Sequence, residues 1–324
     1  MSLIVITHLA LYYDFAALRH VTRLGTPLFF MMSGYLYGQK SINNWMGFYL
    51  RRWRTLIVPT YIWICLVAVS DAFFLSHYYS VWQYLTHFAN LCGLVNLASF
   101  EQSLIHACFS FGGHLKAISG LEHLWFMTLL MICLFLVPFL QKIRNRFSNS
   151  PFWCGGWIPV CVTLIVCCLS AYYGVNLWNV MVFIIGYFVN KGMRPRNIMA
   201  TIILVALMFI SGLCLYVGRI CIKSNELYYN GFYQMPQIVI VCGILGLTLL
   251  FFYLFPNMKG LPNVGNYTYC VYITHFIFLF GPFSVTNWLN TSPLLAICIF
   301  FCATFLSALL LKMLTGLVER VFST

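Results

Sequence analysis

The sequence predicts an all-α polytopic membrane helix bundle of about ten transmembrane helices, with both termini in the cytoplasm, and three observations carry that expectation. The 324 residues are 62% hydrophobic and only 7% charged, against about 45–50% and 25% in soluble domains, so a water-facing surface cannot be assembled from them. Charged residues fall in short clusters between apolar blocks, most of them near the roughly 20 residues that an α-helix needs to cross the hydrocarbon core. The basic residues also favour alternate clusters, as the positive-inside bias requires. A backbone in lipid must satisfy its own hydrogen bonds, which selects helices.

The blocks run over 1–13, 23–38, 54–75, 121–140, 153–173, 177–190, 198–218, 235–255, 265–283 and 293–316. With residue 1 inside, only Arg19, Arg23, Lys116, Arg219 and Lys223 face outward, and the other thirteen of the 18 basic residues face inward. The acidic residues fall the other way, with Glu319 alone inside. The net charge of +12 therefore meets the anionic cytoplasmic leaflet and implies no nucleic-acid partner.

No polar linker, Gly/Ser run or internal repeat divides the chain, so residues 1–324 read as a single transmembrane domain. Segment 76–120 is its large extracytoplasmic loop. The stretch WQYLTHFANLCGLVNLASF within it has the spacing of an amphipathic helix lying on the membrane or capping a cavity, and His87, His106 and His114 read as solvated loop residues. Block 1–13 is short for a span and lacks the basic n-region and cleavage site of a signal peptide. A truncated first helix, with the true start upstream, is expected.

Most of the 14 cysteines sit inside apolar blocks and read as small buried hydrophobes. Cys92 and Cys108 share the outer loop and could pair in an oxidising compartment. No metal-ligand spacing is present and no metal is expected.

Polar groups inside a span are costly and point to function. His8 lies in the first block, either as a histidine satisfied by a neighbouring helix or as a general base or acyl carrier. His275 lies inside the ninth block, with helix gluing as its structural alternative. Glu122 and His123 stand at the outer mouth of the fourth block, where an acid beside a histidine could relay a proton. Arg51, Arg52 and Arg54 enter the third block from the cytoplasm. They read either as positive-inside anchors or as a phosphate site, since Arg51 and Arg54 share a helix face and guanidinium forks match phosphate oxygens. In the second block Pro27, Ser33, Gly34 and Gly38 permit close helix contact.

Taken in order, PLFFMMSGYL at 27–36, the Arg51-to-Arg54 RxxR leading into a proline-containing span, HLWFM at 123–127 and GNYTYCVYITH at 265–275 resemble the acyltransferase 3 family of bacterial membrane acyltransferases. The resemblance implies a multi-pass protein of the bacterial inner membrane. It implies an O-acyltransferase, in most members an O-acetyltransferase, moving an acyl group from cytoplasmic acyl-CoA to a hydroxyl of a surface polysaccharide or lipid-linked glycan. The donor is then acetyl-CoA or another acyl-CoA, with no bound cofactor. Residue by residue, the family's first-helix histidine falls on His8 as the catalytic group, and its RxxR pair falls on Arg51 and Arg54 as the acyl-CoA site. Ser33, Glu122, His123 and His275 are candidates for acceptor-side or supporting roles. The family's basic residue about eleven positions, or three helical turns, before the histidine would precede Met1, a second reason to expect a truncated first helix. Some relatives carry a soluble esterase-like domain after the last span. This chain would act alone, with a separate periplasmic partner, or as a homo-oligomer. The competing class is a transporter or flippase for glycans or lipid-linked sugars, which predicts inverted repeats and paired broken helices; neither is visible.

Overall fold

The computed structural model of the chain describes residues 2–15, 24–74, 121–147, 165, 178–189, 198–221, 235–254, 265–280, 283–285 and 292–321. Regular structure among them is helical, without a strand. The α-helices are α1 (Ser2–Tyr12), α2 (Gly25–Gly38), α3 (Trp45–Phe74), α4 (Trp125–Phe147), α5 (Trp178–Phe188), α6 (Ile198–Cys221), α7 (Met235–Leu254), α8 (Gly265–Thr274) and α9 (Pro293–Val321), with 3-10 turns at Glu122–Leu124 and Phe276–Phe278. Each predicted block except 153–173 overlaps one of these helices. That block, the 76–120 segment and the Cys92–Cys108 pair lie outside the described residues, apart from Ile165. Cys65, Cys133, Cys214, Cys242, Cys270, Cys298 and Cys302 are free thiols.

Two helices, over Trp45–Asp71 and Pro293–Arg320, are long and apolar enough to cross a bilayer, with shorter apolar stretches at Asn179–Phe188 and Val205–Cys214. Their surfaces fit lipid. Ile203, Leu207, Ile210 and Leu213 of α6 and Leu294, Phe305, Leu306 and Met313 of α9 are all more than half exposed. A soluble monomer rarely shows apolar faces of that extent.

The chain forms two compact units. The first comprises residues 1–23, 44–131 and 261–324, and the second 24–43 and 132–260. In the second unit α2 packs on α5. A methyl group on Gly34 or Gly38 would run into the backbone carbonyls of Phe183 and Tyr187, and one on Gly186 into that of Met31. Three glycines therefore let two backbones touch, as the small residues of α2 predict. Met31, Met181, Val182, Val241 and Leu245 form the buried cluster beneath this contact, which brings in α7.

The ends of three helices in this unit are tied by polar groups. Ile42 donates its N–H to Gln141 Oε1 at 2.9 Å and accepts from Gln141 Nε2 at 3.3 Å. Arg144 donates to the Gly38 carbonyl and lies 5.4 Å from the centre of the Tyr187 ring, and Gln39 Nε2 donates to the Val189 carbonyl at 3.1 Å. Carbonyls left open at the end of α2 thus find donors. Since the C-terminal ends of α2, α4 and α5 meet here, the three helices run in the same sense.

In the first unit α8 packs against α9, α3 and α1. Helix α1 ends at Tyr12, and Asp14 just beyond it takes a left-handed φ of 54°, a conformation that aspartate tolerates better than most residues. The Phe15 N–H then reaches back to the Ala10 carbonyl at 2.9 Å, the six-to-one bond of a Schellman end. Val5, Leu279, Val285, Ala296 and Phe300 pack as the apolar cluster joining α1 to α9.

The ninth block departs from its prediction as one helix over 265–283. Helix α8 ends at Thr274, and a 3-10 turn follows. The side chains explain the break. Thr274 Oγ1 bonds the Cys270 carbonyl at 3.0 Å and the Thr304 carbonyl at 3.3 Å, while the Tyr272 carbonyl is taken by two imidazoles rather than by backbone. The third block also begins earlier than predicted, since α3 starts at Trp45, so Arg51 to Arg54 lie within a helix.

Candidate active site

The end of α8 leaves carbonyls without an intrahelical partner, and histidines fill the deficit. His123, in the 3-10 turn before α4, donates Nε2–H to the Tyr272 and Ile273 carbonyls at 3.0 and 3.1 Å. Tyr272 returns a bond from its hydroxyl to the His123 carbonyl at 2.7 Å. His275 Nδ1 bonds the Tyr272 carbonyl at 2.7 Å. Both rings are buried, and His275 has no exposed surface.

His8 of α1 completes the group. Its Nδ1 lies 2.7 Å from His275 Nε2, and the two rings are parallel to within 11° with centroids 5.0 Å apart. Nitrogens that close cannot belong to face-to-face rings, so the imidazoles meet edge to edge in one plane, as a hydrogen bond requires. Phe276 presents an edge-on contact to His8 at 4.8 Å and lies nearly parallel to His123, also at 4.8 Å. His8 and His123 centroids are 6.4 Å apart. Three histidines more than a hundred residues apart in sequence thus converge in the first unit.

The cluster differs from a metal cage. Both nitrogens of His275 and Nε2 of His123 are already committed to hydrogen bonds, so three lone pairs do not converge. His123 Nδ1 is buried without a partner.

A second polar tie holds α8 to α3. Pro59 lacks the N–H that would bond one turn back, which loosens α3 there. In the next position, the Leu56 carbonyl accepts the Tyr269 hydroxyl at 2.6 Å and Thr60 Oγ1 at 2.8 Å. Tyr269 and Thr60 hydroxyls lie 3.0 Å apart, and Met127 Sδ is 3.1 Å from the same phenol. Contacts of α4 with α8 pair His123 with Tyr272 and Met127 with Tyr269, so the two run antiparallel. Helices α8 and α9 do likewise, since Thr274 meets Thr304 and Lys312 covers the Tyr267 ring.

Of the residues singled out in the sequence, His8, His123 and His275 come together. Arg51 and Arg54 stand on one exposed face of α3, and neither guanidinium has a partner among the described residues. Ser33 is half-buried on α2 in the other unit. Glu122 opens the 3-10 turn, and its side chain lies outside the described set. Tyr269 and Tyr272 were not singled out, although the spacing of Tyr269, Tyr272 and His275 at intervals of three places them on one helix face. That spacing was the available signal.

The model of the acyltransferase 3 family, described as an acyltransferase domain, matches residues 1–313. No curated protein and no solved structure matches the chain. A match over nearly the whole chain, on a helical protein with lipid-compatible surfaces, shows that it belongs to the acyltransferase 3 family and is a membrane acyltransferase.

Proposed function

We propose that the protein is an O-acyltransferase, in the first instance an O-acetyltransferase, of the bacterial inner membrane. It moves the acyl group of a cytoplasmic acyl-CoA to a hydroxyl of a surface polysaccharide or lipid-linked glycan. The observation that carries this reading is the hydrogen-bonded His8–His275 pair, an imidazole base held inside an apolar bundle by a second imidazole. His8 takes the hydroxyl proton, the oxygen attacks the thioester carbonyl carbon, and the carbon–sulfur bond breaks to release the thiolate. An acyl-imidazole relay on His8 is the covalent variant of the same chemistry.

The donor reaches His8 along α3 and α8. Arg54 precedes Thr60 by six residues and Tyr269 precedes His275 by six, so at 1.5 Å per residue the arginine face and the histidines are separated by about 18 Å along the helices. The extended arm between the phosphates and the sulfur of coenzyme A is suited to such a gap. Exposed guanidinium groups at Arg51 and Arg54 suit the phosphates.

Ten crossings with both termini inside accord with the helix directions. α4 and α8 are antiparallel, as the fourth and ninth blocks must be, and so are α8 and α9.

Purified protein incubated with labelled acetyl-CoA and candidate glycans tests the function. Label should pass to the glycan in the native protein and fail to do so in His8→Ala. A folded preparation that transfers no acyl group from any acyl-CoA tried would overturn the reading.

A further inference from the structure

We propose that His275 is a positioning residue for His8, fixing its tautomer so that the Nε2 lone pair is the one available for reaction. The inference rests on the reading of His8 as the base and adds the device that sets its protonation.

The argument follows the protons. The Tyr272 carbonyl can only accept, so the 2.7 Å contact with His275 Nδ1 assigns a proton to that nitrogen. Neutral His275 then has a bare Nε2, and His8 Nδ1, 2.7 Å away, has to be the donor. A neutral imidazole carries one N–H, which leaves His8 Nε2 deprotonated. His123 does not compete for these positions, because its Nε2 is spent on the Tyr272 and Ile273 carbonyls.

Burial agrees with the assignment. His275 has no exposed surface, whereas His8 keeps some, so His8 is the less enclosed ring of the two. When Nε2 takes the hydroxyl proton, His8 becomes an imidazolium whose Nδ1–H still points at His275 Nε2. Its charge is shared along a chain ending on the Tyr272 carbonyl at the C-terminal end of α8, the end that favours positive charge. The proton later passes from His8 Nε2 to the departing thiolate, and the dyad returns to its starting tautomers. A group that holds a base by its second nitrogen in this way plays the part of the aspartate in a serine–histidine–aspartate triad.

Two substitutions separate positioning from packing. His275→Leu keeps an apolar side chain of similar size without the lone pair. His275→Gln can place an amide oxygen close to the position of Nε2. With purified full-length protein, His275→Leu is expected to lower kcat by about 100-fold or more, within the range for a mispositioned base, with KM for acyl-CoA and acceptor held within about twofold. His275→Gln should recover at least about tenfold of that loss. Thermal unfolding in detergent checks that both variants fold.

A second readout does not depend on turnover. Protein labelled with nitrogen-15 in its histidine rings, with His8 assigned by difference from His8→Ala, should give a protonated Nδ1 and a bare Nε2 for His8 in the native chain. This pattern should be lost in His275→Leu. The proposal is overturned if His275→Leu keeps native kcat, or if native His8 carries its proton on Nε2. Should either variant fail to fold, the native spectrum alone decides. An active His8→Ala would remove the base assignment from the proposed function, whereas the tautomer measured in the spectrum would stand or fall separately.

Discussion

An imidazole in an apolar bundle needs partners for both nitrogens or a use for the one left over. His8 has a partner for Nδ1 and leaves Nε2 over, which is why its removal is expected to abolish turnover rather than folding. His8→Ala should lower kcat by at least 10²–10⁴-fold, the usual contribution of a general base, with its melting temperature in detergent close to native. Retention of full transfer would remove His8 from the chemistry. Arg51 and Arg54 act in this reading through charge-assisted hydrogen bonds to the donor's phosphates. Replacing both by Ala should raise KM for acyl-CoA by roughly tenfold or more, since a hydrogen bond to a charged group is worth about 1.5–3 kcal/mol, with kcat at saturation changed much less. An unchanged KM would return the pair to simple membrane anchoring. Tyr269→Phe leaves the Leu56 carbonyl with one donor fewer next to Pro59, a loss of about 1 kcal/mol of stability to be read from thermal unfolding.

At the scale of elements, the glycine contact between α2 and α5 decides how closely two backbones approach. The Cβ atoms that Gly34 and Gly38 lack would collide with main-chain carbonyls, which cannot rotate away as a flexible side chain could. Gly34→Val should therefore destabilise the protein by about 1–3 kcal/mol or more. Gly316, in α9, has nothing within 4 Å of the position a Cβ would take. Gly316→Ala should be neutral or stabilising by up to about 1 kcal/mol through helix propensity. Parallel thermal melts of the two variants make the comparison, and equal melting temperatures would show that the contact carries no strain. In α3 the Leu56 carbonyl, next to the one that Pro59 leaves without its N–H partner, takes the Tyr269 hydroxyl of a neighbouring helix. The end of α8 at Thr274 does the same for two histidines.

For the molecule as a whole, charge asymmetry predicts orientation. Reporter fusions after Lys142 and after Thr324 should give cytoplasmic signals, with fluorescent protein bright and alkaline phosphatase inactive, and a fusion after Lys116 should give the reverse. An extracytoplasmic signal from the Lys142 fusion would break the ten-span assignment. The antiparallel pairs α4 with α8 and α8 with α9 arise from side-chain contacts independent of the charge count.

Helix positions were legible in the sequence because hydrocarbon imposes a simple rule on it: about 20 apolar residues per crossing, with charge pushed to the ends. Gly34 and Gly38 were legible too, since only small residues permit backbone contact. His8, Arg51 and Arg54 stood out through family resemblance, and His123 and His275 as polar groups in apolar segments. What linear order could not reveal is that the three histidines share one network, because residues 8, 123 and 275 are joined only by the packing of α1, α4 and α8. Nor could composition foretell that α8 stops at Thr274. That stop involves His123, from the turn before α4, capturing the Tyr272 and Ile273 carbonyls, a contact that exists only once the bundle has closed.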